Sequence, residues 1–422
     1  MPMTLVQKIL ARASGKEYVE EGEIIWAKPD LITVPEVSFP AYVKRLGDIG
    51  IHQFATPNKI VVAIDHEVPV HSQAGATRNL QTKQLAVSTG IGHFFDGEGI
   101  THPLVVEQGL VAPGMFVVGA DTHTSGIGGV GALAVPFGME VTMPMARSDI
   151  WIRVPGTVRV HVHGELRPGV GARDIVLATI SQIDEDLACY RVIEYTGDTI
   201  ERLTIPERMT IAGLSIDCGA ESGIIPADET SIRALRSLGV KDPQILVGDA
   251  DANIYHHIEI DASRLSPLVS IPPSPNHVRD AAVLHDIKIQ HAYIGSCASG
   301  SLAELQAAAR LLAGKNIHPD VQLLVIPATR KVHQQALQDG TLNTLMLAGA
   351  QISPSTCGPC FGGLAQLAAG EVRISTSTRN DRGRMGSPDA TIYLASALTV
   401  AASALTGHIT DVRQLIDLYG NT

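Results

Sequence analysis

Short apolar runs that alternate with helix-like segments constrain the fold of this chain most. One run covers 59–64 and ends at Asp65-His66, and another covers 115–120 and ends at Asp121. Strands that alternate with helices predict largely parallel sheets covered on both faces, so the sequence predicts an α/β fold. Ligands of such sheets collect at the carboxyl ends of the strands, which is where these polar residues lie.

The same alternation continues in the last third of the chain, where the run 289–294 leads into Cys297. Two places suggest domain boundaries. A new strand pattern begins after 154–156, and the proline-dense segment 271–276 is typical of an extended linker. We therefore expect three domains, covering residues 1–155, 156–275 and 276–422.

Charge and composition exclude several classes of protein. The 422 residues carry a net charge of −11, which argues against a nucleic-acid binder but allows an anionic small substrate held by a few arginines. The N-terminus has no signal-peptide pattern. The charge-free stretch 390–407 is rich in Ala, Ser and Thr, which favours a small-residue helix packed inside the protein over a membrane span. Five cysteines are too few for a disulfide scaffold, so we expect a cytoplasmic protein.

Three cysteines stand out by their spacing. Cys357 and Cys360 form a CxxC pair, and Cys297 lies 60 residues before it, just ahead of a helix-like segment. Three thiolates with a distant third member favour an iron–sulfur cluster or metal that keeps one coordination position open. A zinc site, a redox pair and a pair without function remain alternatives, although zinc would want a fourth ligand nearby.

Histidines with carboxylates form a second constellation. Asp65-His66 and Asp121-Thr122-His123 both end strands, and His102 follows a loop. A carboxylate beside an imidazole holds its tautomer and raises its pKa, which suits a general acid. For each pair taken alone, a structural hydrogen bond remains the alternative. The sequence contains no GxSxG elbow, so a serine hydrolase is excluded.

A third motif is the arginine pair Arg379 and Arg384, which lies about twenty residues after the CxxC pair. Two guanidinium groups can bind carboxylates through paired hydrogen bonds. A solvated basic turn is the alternative.

Together, these motifs resemble the aconitase superfamily, and within it the group of 3-isopropylmalate dehydratase large subunits and homoaconitase-like proteins. The resemblance covers nearly the whole chain. Its most specific segments are Gly119-Ala120-Asp121-Thr122-His123-Thr124, Ile294-Gly295-Ser296-Cys297, Cys357-Gly358-Pro359-Cys360, Gly383-Arg384-Met385-Gly386 and Gly407-His408-Ile409-Thr410-Asp411.

The resemblance implies three α/β/α domains with largely parallel sheets around a central iron–sulfur cleft. It implies one [4Fe–4S] cluster per subunit, held by Cys297, Cys357 and Cys360. The fourth iron would act as the Lewis acid that binds the substrate hydroxyl and an adjacent carboxylate.

The resemblance also assigns roles to residues outside the cluster. The base is a serine on a swivelling domain, which a separate small subunit would supply to this chain. The implied catalytic residues are Asp65, His66, His102, Asp121, His123 and Asp217. The implied substrate-binding residues are Arg379, Arg384, Ser299 and Ser301.

Several positions depart from the family's pattern. Ala298-Ser299-Gly300-Ser301 stands where the family has Thr-Asn-Gly-Arg after the first cluster cysteine. Gly213 replaces an Asn, Asp217 replaces a Glu, and Thr378 replaces the Asn before the first arginine. An early His-Asp pair is absent around 34–36. The cluster ligands are kept while the residues around the substrate differ.

The sequence therefore predicts the iron–sulfur subunit of a hydro-lyase that is similar to 3-isopropylmalate dehydratase. Its substrate would be a small 2-hydroxy dicarboxylic acid, which it dehydrates, hydrates or isomerises. Alternatives are a dehydratase or hydratase of another malate-type acid (methyl- or dimethylmalate, maleate or citraconate), a homoaconitase, and a non-catalytic binding or scaffold protein. We expect neither nucleic acid nor a membrane as a partner.

Overall fold

The computed structural model describes residues 1–183 and 185–419. They form two compact units that interleave along the chain. The first unit consists of Met1–Asp96, Thr101–Val162 and Glu185–Glu259, and the second of Gly97–Ile100 and, within the described residues, 163–183 and 260–419. The division into three domains at 155 and 275 remains a prediction.

Helices and strands alternate along most of the chain. The helices are α1 (Leu5–Ser14), α2 (Phe39–Asp48), α3 (Gln73–Thr89), α4 (Thr101–Glu107), α5 (Thr142–Arg147), α6 (Ala172–Ile180), α7 (Glu185–Ala188), α8 (Asp198–Glu201), α9 (Ile205–Leu214), α10 (Glu229–Ser237), α11 (Leu302–Leu312), α12 (Arg330–Gln338), α13 (Thr341–Leu347), α14 (Ala397–Thr406) and α15 (Arg413–Tyr419). The strands are β1 (Ile24–Ala27), β2 (Leu31–Pro35), β3 (Ile60–Ile64), β4 (His93–Asp96), β5 (Phe116–Gly119), β6 (Leu133–Pro136), β7 (Ile150–Arg153), β8 (Gly156–His163), β9 (Arg191–Thr196), β10 (Ser222–Ile224), β11 (His256–Asp261), β12 (Leu268–Ser270), β13 (Val278–Asp280), β14 (His291–Ile294), β15 (Gln322–Val325), β16 (Gln351–Ile352), β17 (Val372–Ser375) and β18 (Thr391–Ala395).

A five-stranded parallel sheet, ordered β4-β3-β2-β5-β6, forms the centre of the first unit. Strands β2 and β3 are buried along their whole length, as expected for β-branched runs covered on both faces. In the register, Val34 lies beside Val62 and Thr33 beside Gly119. The carboxyl ends of β2, β3 and β5 therefore lie next to one another at one edge of the sheet.

The first unit also holds a two-stranded antiparallel sheet, β1-β7, and a four-stranded sheet ordered β10-β9-β8-β11. A 3₁₀ helix, Thr122–Val130, packs closely against α9 and β10. A Cβ atom at Gly128 would lie 1.9 Å from the carbonyl oxygen of Gly223, and one at Gly129 would lie 2.5 Å from the backbone nitrogen of Met209. The glycines of this helix thus permit an approach that no other residue allows.

A seven-stranded sheet, ordered β13-β12-β18-β17-β14-β15-β16, forms the centre of the second unit. The strands from β18 to β16 are parallel, and β12 and β13 add an antiparallel edge. Helices α11 and α14 pack against each other, and their apolar side chains, including Leu305 and Val400, are part of the buried core. Strand β14 leads directly to Cys297.

The structure confirms the predicted α/β class, and the predicted strands that end before Asp65, Asp121 and Cys297 are β3, β5 and β14. The charge-free stretch 390–407 differs from the prediction, because only its second part is a helix (α14). Its first part is β18, which pairs in parallel with β17. Within the described ranges, the structure contains no helix that is both long and apolar enough to cross a membrane.

The proline-dense segment 271–276 is the loop of a β-hairpin rather than an extended linker. It joins β12 to β13, and Ser270 lies opposite Val278 in the antiparallel register. Proline has no backbone N–H, so the segment leaves the ladder and turns back.

Candidate active site

The side chain of His66 lies among three carboxylates at the edge of the first unit's parallel sheet. Its Nδ1 is 2.6 Å from Asp65 Oδ1 and 3.4 Å from Glu36 Oε2, and its Nε2 is 3.6 Å from Asp121 Oδ2. Asp65 uses its other oxygen to accept hydrogen bonds from the backbone N–H and the hydroxyl of Thr101, both at 2.7 Å. The strand ends thus bring together three of the predicted catalytic residues, Asp65, His66 and Asp121.

Glu36 is a member of this cluster that the sequence motifs do not reveal. It follows β2 directly, is fully buried, and accepts hydrogen bonds from the backbone N–H groups of His66 and Glu67 at 2.8 and 2.9 Å. In the sequence, this position is conspicuous only because the family's His-Asp pair is absent there. A carboxylate that directly follows an apolar strand is the signal that could have identified it.

These carboxylates keep His66 in its cationic form. Burial alone would lower the pKa of His66, but Asp65, Asp121 and Glu36 raise it well above its ordinary value. Burial would likewise raise the pKa values of Asp65 and Asp121, yet the contacts with His66 and other neighbours hold both below their usual range. At neutral pH the cluster therefore holds an imidazolium beside ionised carboxylates.

His102 lies close by but takes the opposite protonation state. Its Nε2 is 3.6 Å from Asp121 Oδ1 and 3.4 Å from Thr124 Oγ1. Burial lowers the pKa of His102, and the neighbouring His123 and His66 lower it further. Asp121 and Asp65 raise the pKa, but not enough to return it to its ordinary value. Two histidines that share Asp121 thus differ in charge, which is a common arrangement for an acid and a neutral hydrogen-bonding group.

His123 and Asp217 form a separate buried pair in the same unit. His123 Nε2 lies 3.6 Å from Asp217 Oδ1, and both side chains are nearly inaccessible to solvent. The backbone N–H of His123 donates to Asp121 Oδ1 at 2.9 Å, which links this pair to the cluster around His66. All six predicted catalytic residues therefore lie in one network of contacts, although their roles remain predictions.

The loop after β14 presents Cys297 in a constrained conformation. Ser296 has a positive φ of 92°, and its hydroxyl donates to the carbonyl of Thr376 at 3.0 Å. Thr376 Oγ1 accepts from the backbone N–H of Gly295 and donates to its carbonyl, both at 2.8 Å. A backbone held in a sparsely populated region is typical of functional sites.

Cys297, Cys357 and Cys360 all lie in the second unit, and the side chains of Cys357 and Cys360 are hydrogen-bonded to each other. Cys357 precedes and Cys360 lies within a 3₁₀ helix, Gly358–Phe361, and all three thiols act electrostatically on the buried hydroxyl of Tyr293. A hydrogen bond with Cys357 lowers the pKa of Cys360. Burial opposes this effect, but the pKa still lies well below its usual range. Ligation needs thiolates, so this donor set is suited to iron.

The two remaining cysteines, Cys189 and Cys218, lie in the first unit. Cys189 is exposed. Cys218 is buried, its thiol donates to the carbonyl of Ser215 at 3.0 Å, and burial raises its pKa to about 12. Neither has the properties of a metal ligand.

Of the two predicted substrate arginines, Arg384 contacts the cysteine pair in the second unit. Arg384 is half-buried, and its Nε donates to the carbonyl of Cys360 at 3.1 Å. Its charge also helps to lower the pKa of Cys360. Thr378 Oγ1 lies 3.6 Å from Cys360 Sγ, and the half-buried Arg379 follows it in the chain.

Ser299 and Ser301, the other predicted substrate-binding residues, contact Glu304 at the start of α11. The hydroxyls of Ser299 and Ser301 donate to the two carboxylate oxygens at 2.9 and 2.8 Å, and Ser301 caps the helix. Burial raises the pKa of Glu304 in spite of these bonds. The family's arginine position is thus part of a capping box here, and a substrate-binding role for the two serines remains a prediction.

The chain matches known proteins over nearly its whole length. The model of the aconitase family (aconitate hydratase) matches residues 7–282 and 277–407. The 3-isopropylmalate dehydratase large subunit 1 of Methanopyrus kandleri is 40% identical, over 98% of this chain and 99% of that protein. The corresponding large subunit of Aquifex aeolicus is 41% identical, over 97% of this chain and 96% of its own length.

A solved structure supports the fold. The crystal structure of Thermococcus kodakaraensis aconitase X in its holo form matches with a TM-score of 0.50, covering 93% of this chain and 89% of that chain, at 13% identity. At this identity the likeness concerns the fold alone. The resemblance predicted from the motifs is confirmed by the family match and by the relatives, and the chain belongs to the aconitase family.

Proposed function

We propose that this chain is the large, iron–sulfur subunit of a hydro-lyase similar to 3-isopropylmalate dehydratase. The observation that carries the proposal is that the second unit holds Cys297, Cys357 and Cys360, of which the last two are hydrogen-bonded to each other. The relatives that match nearly their whole length are named for this activity.

Aconitase-family proteins generally carry an iron–sulfur cluster. The residues present fit such a group, because Cys357 and Cys360 are hydrogen-bonded, Cys297 lies in the same unit, and the buried Tyr293 hydroxyl on β14 has no hydrogen-bond partner in the described structure. We assign the ligands to Cys297, Cys357 and Cys360 and the group to a [4Fe–4S] cluster, one per subunit. When bound, it supplies a Lewis-acidic iron that polarises the substrate's hydroxyl and a carboxylate.

The chain's own acid is assigned to His66. In the dehydration direction, a base removes the proton from the carbon next to a carboxylate, the double bond forms and the carbon–oxygen bond breaks. The departing hydroxide then takes the Nε2 proton of His66 and leaves as water. Asp65 and Glu36 hold the imidazolium at Nδ1 and keep its pKa high, and the neutral His102 beside Asp121 serves as a hydrogen-bonding group.

The substrate is assigned to the small 2-hydroxy dicarboxylic acids. Arg379 and Arg384 are the proposed carboxylate binders, which suffices for two carboxylates. Ser301, which stands where the family has an arginine, donates its hydroxyl to Glu304 instead. A third carboxylate would therefore lack that partner, and unpaired buried polar groups are strongly disfavoured.

The base is assigned to a partner. The relatives are named large subunits, which implies a small subunit, and we propose that a serine on its swivelling domain removes the proton. The proposed location is the cytoplasm, in line with the sparse cysteines of the sequence.

The test is a substrate panel on the reconstituted large and small subunits under anaerobic conditions, with alkene absorbance as the readout. We expect small dicarboxylates, namely methyl-substituted malates, maleate and 3-isopropylmalate, to give higher kcat/KM values than citrate and homocitrate. The large subunit alone should show no turnover. A preference for homocitrate would overturn the substrate assignment, and turnover by the single chain would overturn the assignment of the base.

A different malate-type acid is the second candidate substrate. The observation that favours it is the loop Ala298-Ser299-Gly300-Ser301, whose hydroxyls bind Glu304. Within the same panel, dimethylmalate or citraconate would then exceed 3-isopropylmalate. A cluster-loaded pair without activity on any di-acid would instead favour the non-catalytic alternative.

A further inference from the structure

Tyr293 has a buried hydroxyl that neither its neighbours nor the proposed chemistry uses. The residue lies on β14, four positions before Cys297, and its side chain is fully buried. No described residue forms a hydrogen bond with its hydroxyl oxygen. Buried hydroxyls nearly always have a partner, since an unpaired one costs free energy, so this group requires an explanation.

The ring of Tyr293 is held beside the loop that carries Cys297. A Cβ atom at Gly295 would lie 2.9 Å from Tyr293 Cε2. Because glycine has no Cβ, the tyrosine ring can pack against the backbone at Gly295. A phenylalanine would fill the same space equally well. Packing therefore accounts for the ring but not for the hydroxyl.

The hydroxyl is buried in the part of the second unit where β14 and its following loop lead to Cys297. Burial raises the pKa of Tyr293 well above its ordinary value, and Cys360, Cys357 and Cys297 raise it further, with only Arg373 opposing them. A phenol hydroxyl carries its proton at neutral pH without any shift, so toward a sulfur atom it can act only as the donor. Thiolate and sulfide sulfurs are acceptors for such hydrogen bonds.

We propose that the Tyr293 hydroxyl donates a hydrogen bond to a sulfur of the bound iron–sulfur cluster and thereby tunes its reduction potential and its retention. The inference rests on the proposed function, because it requires the cluster held by Cys297, Cys357 and Cys360. Tyr293 is a positioning and tuning residue in this proposal and does not contact the substrate. A hydrogen bond to sulfur stabilises the more electron-rich, reduced cluster, so its loss lowers the potential.

The test compares Tyr293→Phe with the wild type and with Tyr393→Phe as a matched control. Tyr393 lies on β18 of the same sheet, is half-buried and also carries a hydroxyl. Each anaerobically loaded protein is titrated with redox dyes, and the reduced cluster is followed by EPR. Loss of iron to a chelator gives a second readout, and neither measurement depends on turnover.

We expect Tyr293→Phe to shift the ratio of reduced to oxidised cluster at a fixed potential about tenfold, which is about 59 mV for a one-electron couple. Iron release should be several times faster than in the wild type, while Tyr393→Phe should change neither. Without iron, Tyr293→Phe should unfold at the wild-type urea concentration or above it, because the variant removes an unpaired buried hydroxyl.

Four outcomes separate the two proposals. Equal potentials and release rates in fully loaded wild type and Tyr293→Phe would overturn this inference while leaving the proposed function intact. Equal shifts in both tyrosine variants would overturn it as well. A wild type that holds no cluster would overturn the proposed function, and the inference with it. A Tyr293→Phe protein that is stable without iron but takes up no cluster would support a role in retention.

Discussion

Replacing His66 by glutamine should change the pH dependence of stability in a way that follows from its three carboxylate neighbours. The folded-state pKa of His66 is raised well above its ordinary value of about 6.5. Its contribution to stability is therefore fully present below about pH 6.5 and is lost as the pH rises through the folded-state pKa. The neighbouring Asp65 and Asp121 have lowered pKa values and stay ionised throughout this range.

The magnitude follows from proton linkage. Between about pH 6.5 and the folded-state pKa, the folded chain binds one proton that the unfolded chain has released. The free energy of unfolding contributed by His66 then falls by about 1.4 kcal/mol for each pH unit. The His66→Gln variant cannot take up this proton. The free energy of unfolding of the wild type minus that of the variant should therefore fall by the same amount for each pH unit.

The assay is urea unfolding of the chain without iron, from about pH 5 to about pH 9, for wild type, His66→Gln and a control, His102→Gln. Burial lowers the pKa of His102. The free energy of unfolding of the wild type minus that of His102→Gln should therefore depend on pH in the opposite way. It should be flat above about pH 6.5 and fall as the pH decreases, because only the unfolded chain then binds the proton. A flat His66 curve above about pH 6.5, or curves of the same form for both variants, would refute the assignment of a cationic His66 beside a neutral His102.

Three further predictions concern the other parts of the structure. Cys357→Ser should lose iron from anaerobically purified protein, whereas Cys218→Ser should keep the wild-type content; full iron in the first variant would contradict the ligand assignment. Arg384→Lys should lower kcat/KM of the reconstituted enzyme well over tenfold, because lysine lacks both the planar fork and the Nε that binds the Cys360 carbonyl; a loss within twofold would argue against a carboxylate clamp. Gly128→Ala should lower the free energy of unfolding by about 1–3 kcal/mol, since its Cβ would lie 1.9 Å from a carbonyl oxygen of β10, and Gly171→Ala, where nothing lies within 4 Å, should change it far less.

Much of the fold and the chemistry of the site could be predicted from local sequence. Runs of β-branched residues form β3 and β5, and the residues that follow a parallel strand lie at a known edge of the sheet. For this reason the sequence alone predicts that Asp65, His66 and Asp121 lie close together. The cluster cysteines could be identified because their motifs are specific to one family.

Other features depend on residues that are distant in the chain, and the sequence could not supply them. Glu36 joins the site only because β2 lies between β3 and β5, an order that no local pattern encodes. The hairpin at 271–276 is recognised only by the pairing of β12 with β13, and β18 only by its pairing with β17.

The sequence by itself determined the fold class, the family and the residue types of the site, because strand periodicity and motif spacing are local properties. Only the tertiary structure decided the charge states of His66 and His102. Both are histidines beside Asp121, but the balance of burial against three carboxylates makes one a cation, and burial keeps the other neutral. It also placed the Ser301 hydroxyl on Glu304 and left the buried Tyr293 hydroxyl without a hydrogen-bond partner among the described residues. Electrostatics and hydrogen bonding depend on distances in three dimensions, so these properties emerge only when the chain is folded.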